Sequence, residues 1–237
     1  MKKYFIILLF ISTKLYAIDS YKIGDTLYVW ASNGIIVRNN PEQNSNVLGY
    51  LNYGAKVICL ENKYKFEYNS FPILELDVNH NSIEDSNDFS LNGRWLKINY
   101  GNSEGYIFDG YLSPLLPATN KSLLLEYFQR IYDTITIIKE RQYFEAIECQ
   151  VLLEKGILID QFDNWGEGFS IHHTYHLPIS MDEAFLLLSH LFIDSSPGYY
   201  TMNKSYDGDK LTMKTDLGEI SITKFLNYVV IYEWSIN

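Results

Sequence analysis

Apolar and polar residues alternate with a period of two in several short segments of the first half of the chain. Between residues 55 and 61, Val57 and Cys59 fall on one face, whereas Lys56 and Ile58 fall on the other. This is the period of a β-strand with one buried face. We predict five short strands separated by turns, many of them containing glycine, at residues 27–30, 47–51, 55–61, 95–98 and 106–108.

The periodicity changes from two to about 3.6 after residue 120. Leu123, Tyr127, Ile131 and Ile135 fall at four-residue steps. This is the spacing of one face of an α-helix. We therefore predict an amphipathic helix of about 18 residues that packs on the sheet following it.

Residues 144–177 are predicted to form three strands, although the first contains helix formers that would also allow it to extend the preceding helix. A second helix is predicted from Ser180 to Ile193, because Ser180 and Glu183 have the spacing of a capping box. Three more alternating strands follow, at residues 210–215, 219–223 and 228–234. The predicted fold class is mainly β or α+β, in the order helix, three strands, helix, three strands.

Two stretches of the first half resemble the bacterial SH3-like (SH3b) domain. Residues 36–41 read Ile-Val-Arg-Asn-Asn-Pro and match the Asn-Val-Arg-x-x-Pro turn of that family except at its first position. Residues 47–54 match the strand and glycine turn that come next, and Tyr111 and Leu112 match its closing strand. The resemblance covers residues 27–113 and implies a small closed β-barrel, with a long insertion at 62–93 as the departure.

The resemblance also implies a class of ligand. SH3-like barrels bind extended peptides or glycan-peptide strands on aromatic rings. Alternation with their neighbours predicts that Trp95 and Tyr106 belong to the core. Tyr28, Tyr53 and Tyr111 are therefore the predicted ligand-binding residues.

The N-terminal residues have the pattern of a secretory signal peptide. Met1 is followed by two lysines, residues 4–11 are almost wholly apolar, and Ala17 suits a cleavage site. The alternatives are an N-terminal anchor or a first strand. The predicted organisation is a signal peptide at 1–17, a barrel at 18–113, a linker at 114–120 and an α+β domain at 121–237, in a protein exported to the periplasm or secreted.

The charge balance is acidic, with 29 Asp and Glu against 19 Lys and Arg and a net charge of −10. Loss of residues 1–17 would remove three lysines and no acid. Such a surface repels nucleic acid, so no nucleic-acid partner is predicted. No transmembrane helix is predicted in the mature chain, because no other apolar run is long enough. Cys59 and Cys149 lie in different predicted domains and could form a disulfide or remain buried thiols.

Three histidines, at 172, 173 and 176, are the most suggestive polar group, with Asp160 and Asp163 close in sequence. Histidine is a frequent ligand of transition metals. On a strand, however, only His172 and His176 share a face, and a closed zinc site needs four ligands. We therefore predict no metal and no cofactor, and keep His172 and His176 as the candidate ligands.

A second candidate metal site is the insertion segment 77–88, which resembles the start of an EF-hand calcium loop. Asp77 and Asp88 occupy the first and twelfth positions of such a loop. Ser82 stands where that loop needs glycine. A polar insertion tip is the preferred interpretation of this segment.

The sequence contains no nucleophile elbow and no phosphate-binding loop. Cys149 follows Glu148, and nearby acids disfavour the thiolate that a cysteine nucleophile needs. We therefore predict a non-enzymatic, exported binding protein that contacts peptidoglycan or a peptide of the cell envelope. The alternatives are a cell-wall hydrolase with its catalytic residues around His172, His176 and Asp163, and a structural or inhibitory protein partner.

Overall fold

The protein is mainly β, with two large antiparallel sheets and two α-helices, as predicted. This computed structural model describes residues 21–61, 71–72, 90–91, 93–118, 123–166, 169–192, 203–206, 209–215, 218–225 and 228–236. The predicted signal peptide at 1–17 and the candidate calcium loop at 77–88, for which a polar insertion tip was preferred, lie outside these residues.

The first sheet has seven strands, in the order β3-β2-β8-β7-β4-β1-β9. They are β1 (Thr26–Val29), β2 (Ile35–Arg38), β3 (Val47–Leu51), β4 (Lys56–Glu61), β7 (Trp95–Tyr100), β8 (Ser103–Phe108) and β9 (Leu112–Ser113). All five strands predicted in this half are present, together with β2. Strands β3 and β9 end the order, and in the described part of the chain no hydrogen bonding closes the sheet into a barrel.

One face of the first sheet encloses a hydrophobic core. Val57 and Cys59 point into it, whereas Lys56 and Ile58 are exposed, as the alternation predicts. Val37 of β2 and Ile107 of β8 share this interior although 70 residues separate them. Two distant stretches of the sequence therefore form one packed unit.

The predicted insertion is described only at a short pair of strands. Strand β5 (Phe71–Pro72) pairs with β6 (Ser90–Leu91), so these two segments of the insertion lie side by side. The hairpin predicted within residues 64–76 lies largely outside the described residues.

The second sheet has eight strands, in the order β10-β11-β12-β13-β17-β16-β15-β14. They are β10 (Thr134–Gln142), β11 (Ala146–Leu153), β12 (Leu158–Asn164), β13 (Ser170–Leu177), β14 (Asn203–Tyr206), β15 (Lys210–Thr215), β16 (Gly218–Phe225) and β17 (Tyr228–Ile236). The predicted three strands of residues 144–177 and the last three strands are confirmed. The sequence analysis predicted neither β10 nor β14, so each group contains four strands rather than three.

The first predicted helix is wrong in its second half. Helix α1 covers only Leu124–Ile131, and β10 begins at Thr134. The five residues from Thr134 to Ile138 are all β-branched, and such side chains favour strands over helices. Pairing of β10 with β11 gives this run its hydrogen-bond partners.

The second predicted helix is confirmed as α2 (Met181–Phe192). Its capping box is formed in both directions: the Ser180 N–H donates to the Glu183 carboxylate at 2.7 Å, and the Glu183 N–H donates to the Ser180 hydroxyl at 3.1 Å. Phe185, Leu187 and Leu191 are buried on its inner face, as predicted.

A single core cluster joins residues of both predicted domains. It includes Trp30 of the first half, Phe128 of α1, Tyr175 of β13 and Phe185 of α2. Leu115 and Ala118 of the predicted linker are buried in the same cluster. Two residues of this linker are therefore part of the core that joins the two halves.

Candidate functional site

A cleft of about 540 Å³ lies between the first sheet and helix α2. The turn between β1 and β2 forms one side of it, and the last turns of α2 contribute to the other. Its volume falls in the range of small-ligand sites, about 300–1,000 Å³. The described residues that line it are Trp30, Ala31, Ser32, Asn33, Gly34, Ile35, Ile36, Arg38, Gln43, Trp95, Phe108, Tyr111, Phe185, Leu186, Ser189 and His190.

The turn between β1 and β2 requires glycine at position 34. Gly34 has a φ of +77°, and its N–H donates to the Ala31 carbonyl at 2.9 Å. A Cβ at this position would lie 2.5 Å from the Leu51 carbonyl oxygen. Both the left-handed backbone and the close approach exclude a side chain here, so this side of the cleft depends on glycine.

Trp30 is a fixed aromatic wall of the cleft. Its indole N–H donates to the Leu115 carbonyl at 3.1 Å. Its ring makes edge contacts with Tyr53, Tyr127 and His190 at centroid distances of 6.0, 6.2 and 6.0 Å. A ring held on several sides keeps its orientation when a ligand binds, which limits the entropy lost on binding.

Among the described residues that line the cleft, Arg38 is the only one with a charged side chain at neutral pH. Its Nη1 donates to the Ser45 carbonyl at 2.8 Å, which ties the guanidinium to the loop between β2 and β3. That loop is held in turn by hydrogen bonds between Ser45 and Asn40. The bond to Ser45 uses one of the five N–H groups of the guanidinium.

Trp95 Nε1 and Ser189 Oγ are buried polar atoms of lining residues that have no hydrogen-bond partner within the described residues. A buried donor without a partner costs free energy, about 1–3 kcal/mol. Unpaired polar groups beside a cleft are therefore suited to a ligand that supplies the missing partner. Ser189 lies in the last turn of α2, and Trp95 begins β7.

The His190 ring forms the wall of the cleft next to Ser189. It stacks on Tyr53 with a centroid distance of 4.2 Å and an interplanar angle of 9°. The Tyr53 hydroxyl donates to the Ala118 carbonyl at 3.2 Å. Burial raises the pKa of Tyr53 to about 12, so the hydroxyl stays protonated and the stack keeps its support at neutral pH.

The three tyrosines predicted to bind ligand differ in their positions. Tyr111 lines the cleft and makes an edge contact with Phe108 at 5.9 Å. Tyr53 supports the cleft wall through His190. Tyr28 is half-buried and packs against the joint core. Of the predicted core residues, Trp95 is buried and Tyr106 is half-buried against the first-sheet core.

The histidines of β13 alternate between its faces, as predicted, and the candidate pair His172 and His176 does not converge with Asp163 into one site. His172 Nδ1 lies 2.9 Å from the Tyr232 hydroxyl, whereas His176 Nε2 lies 3.1 Å from Asp160. Across the described ranges, no group of three His, Cys, Asp or Glu side chains is arranged to hold a metal ion.

His173, on the opposite face, is the buried histidine of this strand. Its Nε2 lies 2.6 Å from Asp163, and its Nδ1 lies 3.1 Å from the Tyr175 hydroxyl and 3.7 Å from Glu233. Burial alone would lower the pKa of His173, but the Glu233 and Asp163 carboxylates outweigh it and raise that pKa. This group lies apart from the cleft, since none of its members lines it.

Cys59 and Cys149 are free thiols in different sheets. Burial, followed by the nearby charge of Glu140, raises the pKa of Cys149. The thiolate is therefore disfavoured, which agrees with the acidic neighbourhood seen in the sequence.

Sequence reasoning did not single out Arg38, Ser189 or His190 as site residues. Arg38 was visible only as part of a turn motif, and Ser189 and His190 only as the end of an amphipathic helix. About 150 residues separate them along the chain, so no local signal could place them together.

No protein-family model matches the sequence, no curated protein matches it, and no solved structure matches the chain. Among the helices that the structure describes, none has both the length and the apolar character needed to cross a membrane.

Proposed function

We propose that the protein is a non-enzymatic binding protein of the cell envelope, and that the cleft between the first sheet and α2 holds its ligand, a peptide of the cell wall or envelope. The observation that carries this proposal is the composition of the cleft. Its described lining combines six aromatic or imidazole rings with a single guanidinium, at a volume suited to a small ligand. Such rings bind extended peptides by stacking.

The polar side chains of the cleft suit binding better than catalysis. Ser189 and His190 are consecutive residues of α2, and neighbouring positions on a helix do not face each other. None of the described lining residues is a carboxylate or a cysteine that would complete a nucleophile and base. The cleft therefore offers contacts rather than an activated nucleophile.

We also propose that the first sheet is an SH3-like barrel and that residues 1–17 direct export. The common interior of Val37 and Ile107 and the antiparallel order of the seven strands support the first statement. The basic start and apolar run of the N-terminus support the second. Together they favour a peptidoglycan-derived peptide as ligand.

The proposal is tested by cosedimentation of the full chain with purified peptidoglycan sacculi, followed by calorimetric titration with soluble muropeptides. We expect the protein to sediment with sacculi and Arg38→Met to reduce the bound fraction about fivefold, since a charge-assisted contact is lost. The matched control is Lys97→Met, which removes one positive charge from β7 of the same sheet, outside the cleft lining.

Lys97→Met is expected to bind as the unaltered protein does. Absence of binding to both sacculi and muropeptides would overturn the proposed function. Equal loss in the Arg38 and Lys97 variants would show a general charge effect and would remove the cleft from the proposal.

A further inference from the structure

The charge of the cleft contrasts with the charge of the chain. The sequence has 29 acidic residues and a net charge of −10, yet none of the described residues that line the cleft is acidic and one is arginine. In the described part of the chain, no salt bridge joins Arg38 to a carboxylate. In so acidic a protein, a half-buried arginine without a salt bridge among the described residues is available to an anionic ligand.

The chemistry of arginine specifies which anion fits. The planar fork of the guanidinium matches a carboxylate through two parallel hydrogen bonds, and such bonds are stronger than those between neutral groups. Because one N–H group already binds the Ser45 carbonyl, the side chain is held in place before a ligand arrives. A positioned guanidinium loses little freedom on binding, which strengthens the contact.

The apolar lining specifies what accompanies the carboxylate. Trp30, Phe108 and Phe185 contribute rings, and Leu186 contributes an aliphatic side chain. Trp95 Nε1 and Ser189 Oγ are the buried polar atoms beside these groups. A ligand with an apolar side chain, a carbonyl and a carboxylate would match the apolar lining, the buried polar atoms and the guanidinium.

We propose that the cleft recognises the free C-terminal carboxylate of a short peptide whose last residue is apolar. Arg38 binds the carboxylate, the rings of the cleft contact the last side chain, and Trp95 and Ser189 are the donors nearest to its polar backbone. This inference rests on the proposed function, because it names the end of the peptide that the same site takes.

The experiment compares peptides that differ only at their C-terminus. The full chain is titrated with acetyl-Ala-Ala-Phe as the free acid and as the amide, and binding is followed by calorimetry and by the fluorescence of Trp30 and Trp95, which both line the cleft. We expect the acid to bind about tenfold more tightly than the amide at neutral pH. Peptides ending in L-Ala or D-Ala distinguish a protein C-terminus from a cell-wall stem peptide.

Variants then connect the preference to the arginine. Arg38→Met is expected to lower the affinity for the acid to that for the amide and to leave the amide unchanged. Arg38→Lys is expected to restore part of the preference, since it keeps the charge and loses the fork. Lys97→Met is the matched control and should keep the full preference, and circular dichroism verifies that each variant is folded.

The outcomes separate this inference from the proposed function. Equal affinity for acid and amide, with sacculus binding still dependent on the cleft, would overturn the carboxylate inference and leave the proposed function standing. Absence of binding to peptides and to sacculi would overturn both. A preference for the acid that survives Arg38→Met would overturn the assignment to this residue.

Discussion

His173 is buried between two carboxylates on the inner side of the second sheet. The Tyr175 hydroxyl donates its proton to Glu233 at 3.1 Å, so its oxygen is an acceptor toward His173. Both ring nitrogens of His173 therefore face acceptors, the Tyr175 oxygen and the Asp163 carboxylate. The doubly protonated imidazolium is the form that satisfies both contacts. Burial lowers the pKa of His173, but the Glu233 and Asp163 carboxylates outweigh that effect and raise it.

A raised histidine pKa makes stability depend on pH in a defined direction. The protonated form is favoured in the folded state, so its contribution is complete below the unfolded pKa, about 6.5, and is lost as the pH rises through the folded value. We expect the free energy of unfolding to fall across this window and His173→Gln to remove that fall. Urea unfolding measured at several pH values between about 4 and 9 provides the test.

The Asp109 carboxyl serves as an internal comparison for this measurement. Burial raises its pKa to about 6, against hydrogen bonding by the Arg94 N–H, so its titration lies below that of His173. The stability that the protonated Asp109 carboxyl contributes falls as the pH rises from the pKa of the unfolded chain to about 6. This fall should remain in His173→Gln. An unchanged slope above pH 6.5 in that variant would contradict the assignment.

Among the secondary-structure elements, α2 carries the clearest local signal. Ser180 and Glu183 satisfy each other's backbone N–H groups at its start. We expect Ser180→Ala to reduce the free energy of unfolding by about 1 kcal/mol, because one N–H of the first turn loses its acceptor. Chemical denaturation measures the change.

Ser103→Ala is the control for the cap, because Ser103 is the exposed first residue of β8. It should change the free energy of unfolding by less than about 0.5 kcal/mol. Equal effects of the two substitutions would show that the capping box contributes nothing specific.

Strand β10 shows why the helix prediction for residues 123–138 was half wrong. A four-residue spacing of apolar side chains continues through Ile135, but Ile135, Ile137 and Ile138 are all exposed in the structure. The apparent stripe therefore does not mark a buried helix face. The β-branched run and its pairing with β11, interrupted by two irregularities in register, decide the conformation instead.

At the scale of the whole molecule, the shared core makes the two predicted domains depend on each other. Trp30 belongs to the first half by sequence, but packs with Tyr127 of α1 and His190 of α2. We expect Trp30→Ala to cost about 3–5 kcal/mol, the usual loss for a buried ring. Because the core is common, both sheets should lose stability together.

Far-UV circular dichroism and hydrogen exchange of amides in both sheets measure this prediction. Trp165→Ala is the control, since Trp165 is 48% exposed, and should change stability by less than about 0.5 kcal/mol. Destabilisation confined to the first sheet in Trp30→Ala, with two separate unfolding transitions, would contradict the coupling.

The sequence by itself determined most of the strands, though not β10 or β14, and in strands such as β4 it determined which side chains face inward. It determined the start of α2 as well, because alternation and capping depend on residues close together in the chain. Val57, Cys59 and Ser180 are at the positions that these local patterns predict. The switch to strand at Thr134 was also present in its β-branched run, although the apolar spacing concealed it.

Only the tertiary structure decided which of these elements meet. The cleft gathers Arg38, Trp95 and Ser189 from strands and a helix that are far apart in sequence, and the predicted linker became part of the core beneath it. Local sequence patterns indicate only whether a side chain is buried. They contain no information on which distant segment of the chain it contacts. The packing of the whole chain determines which segment covers each buried side chain, and the cleft exists only after that packing is complete.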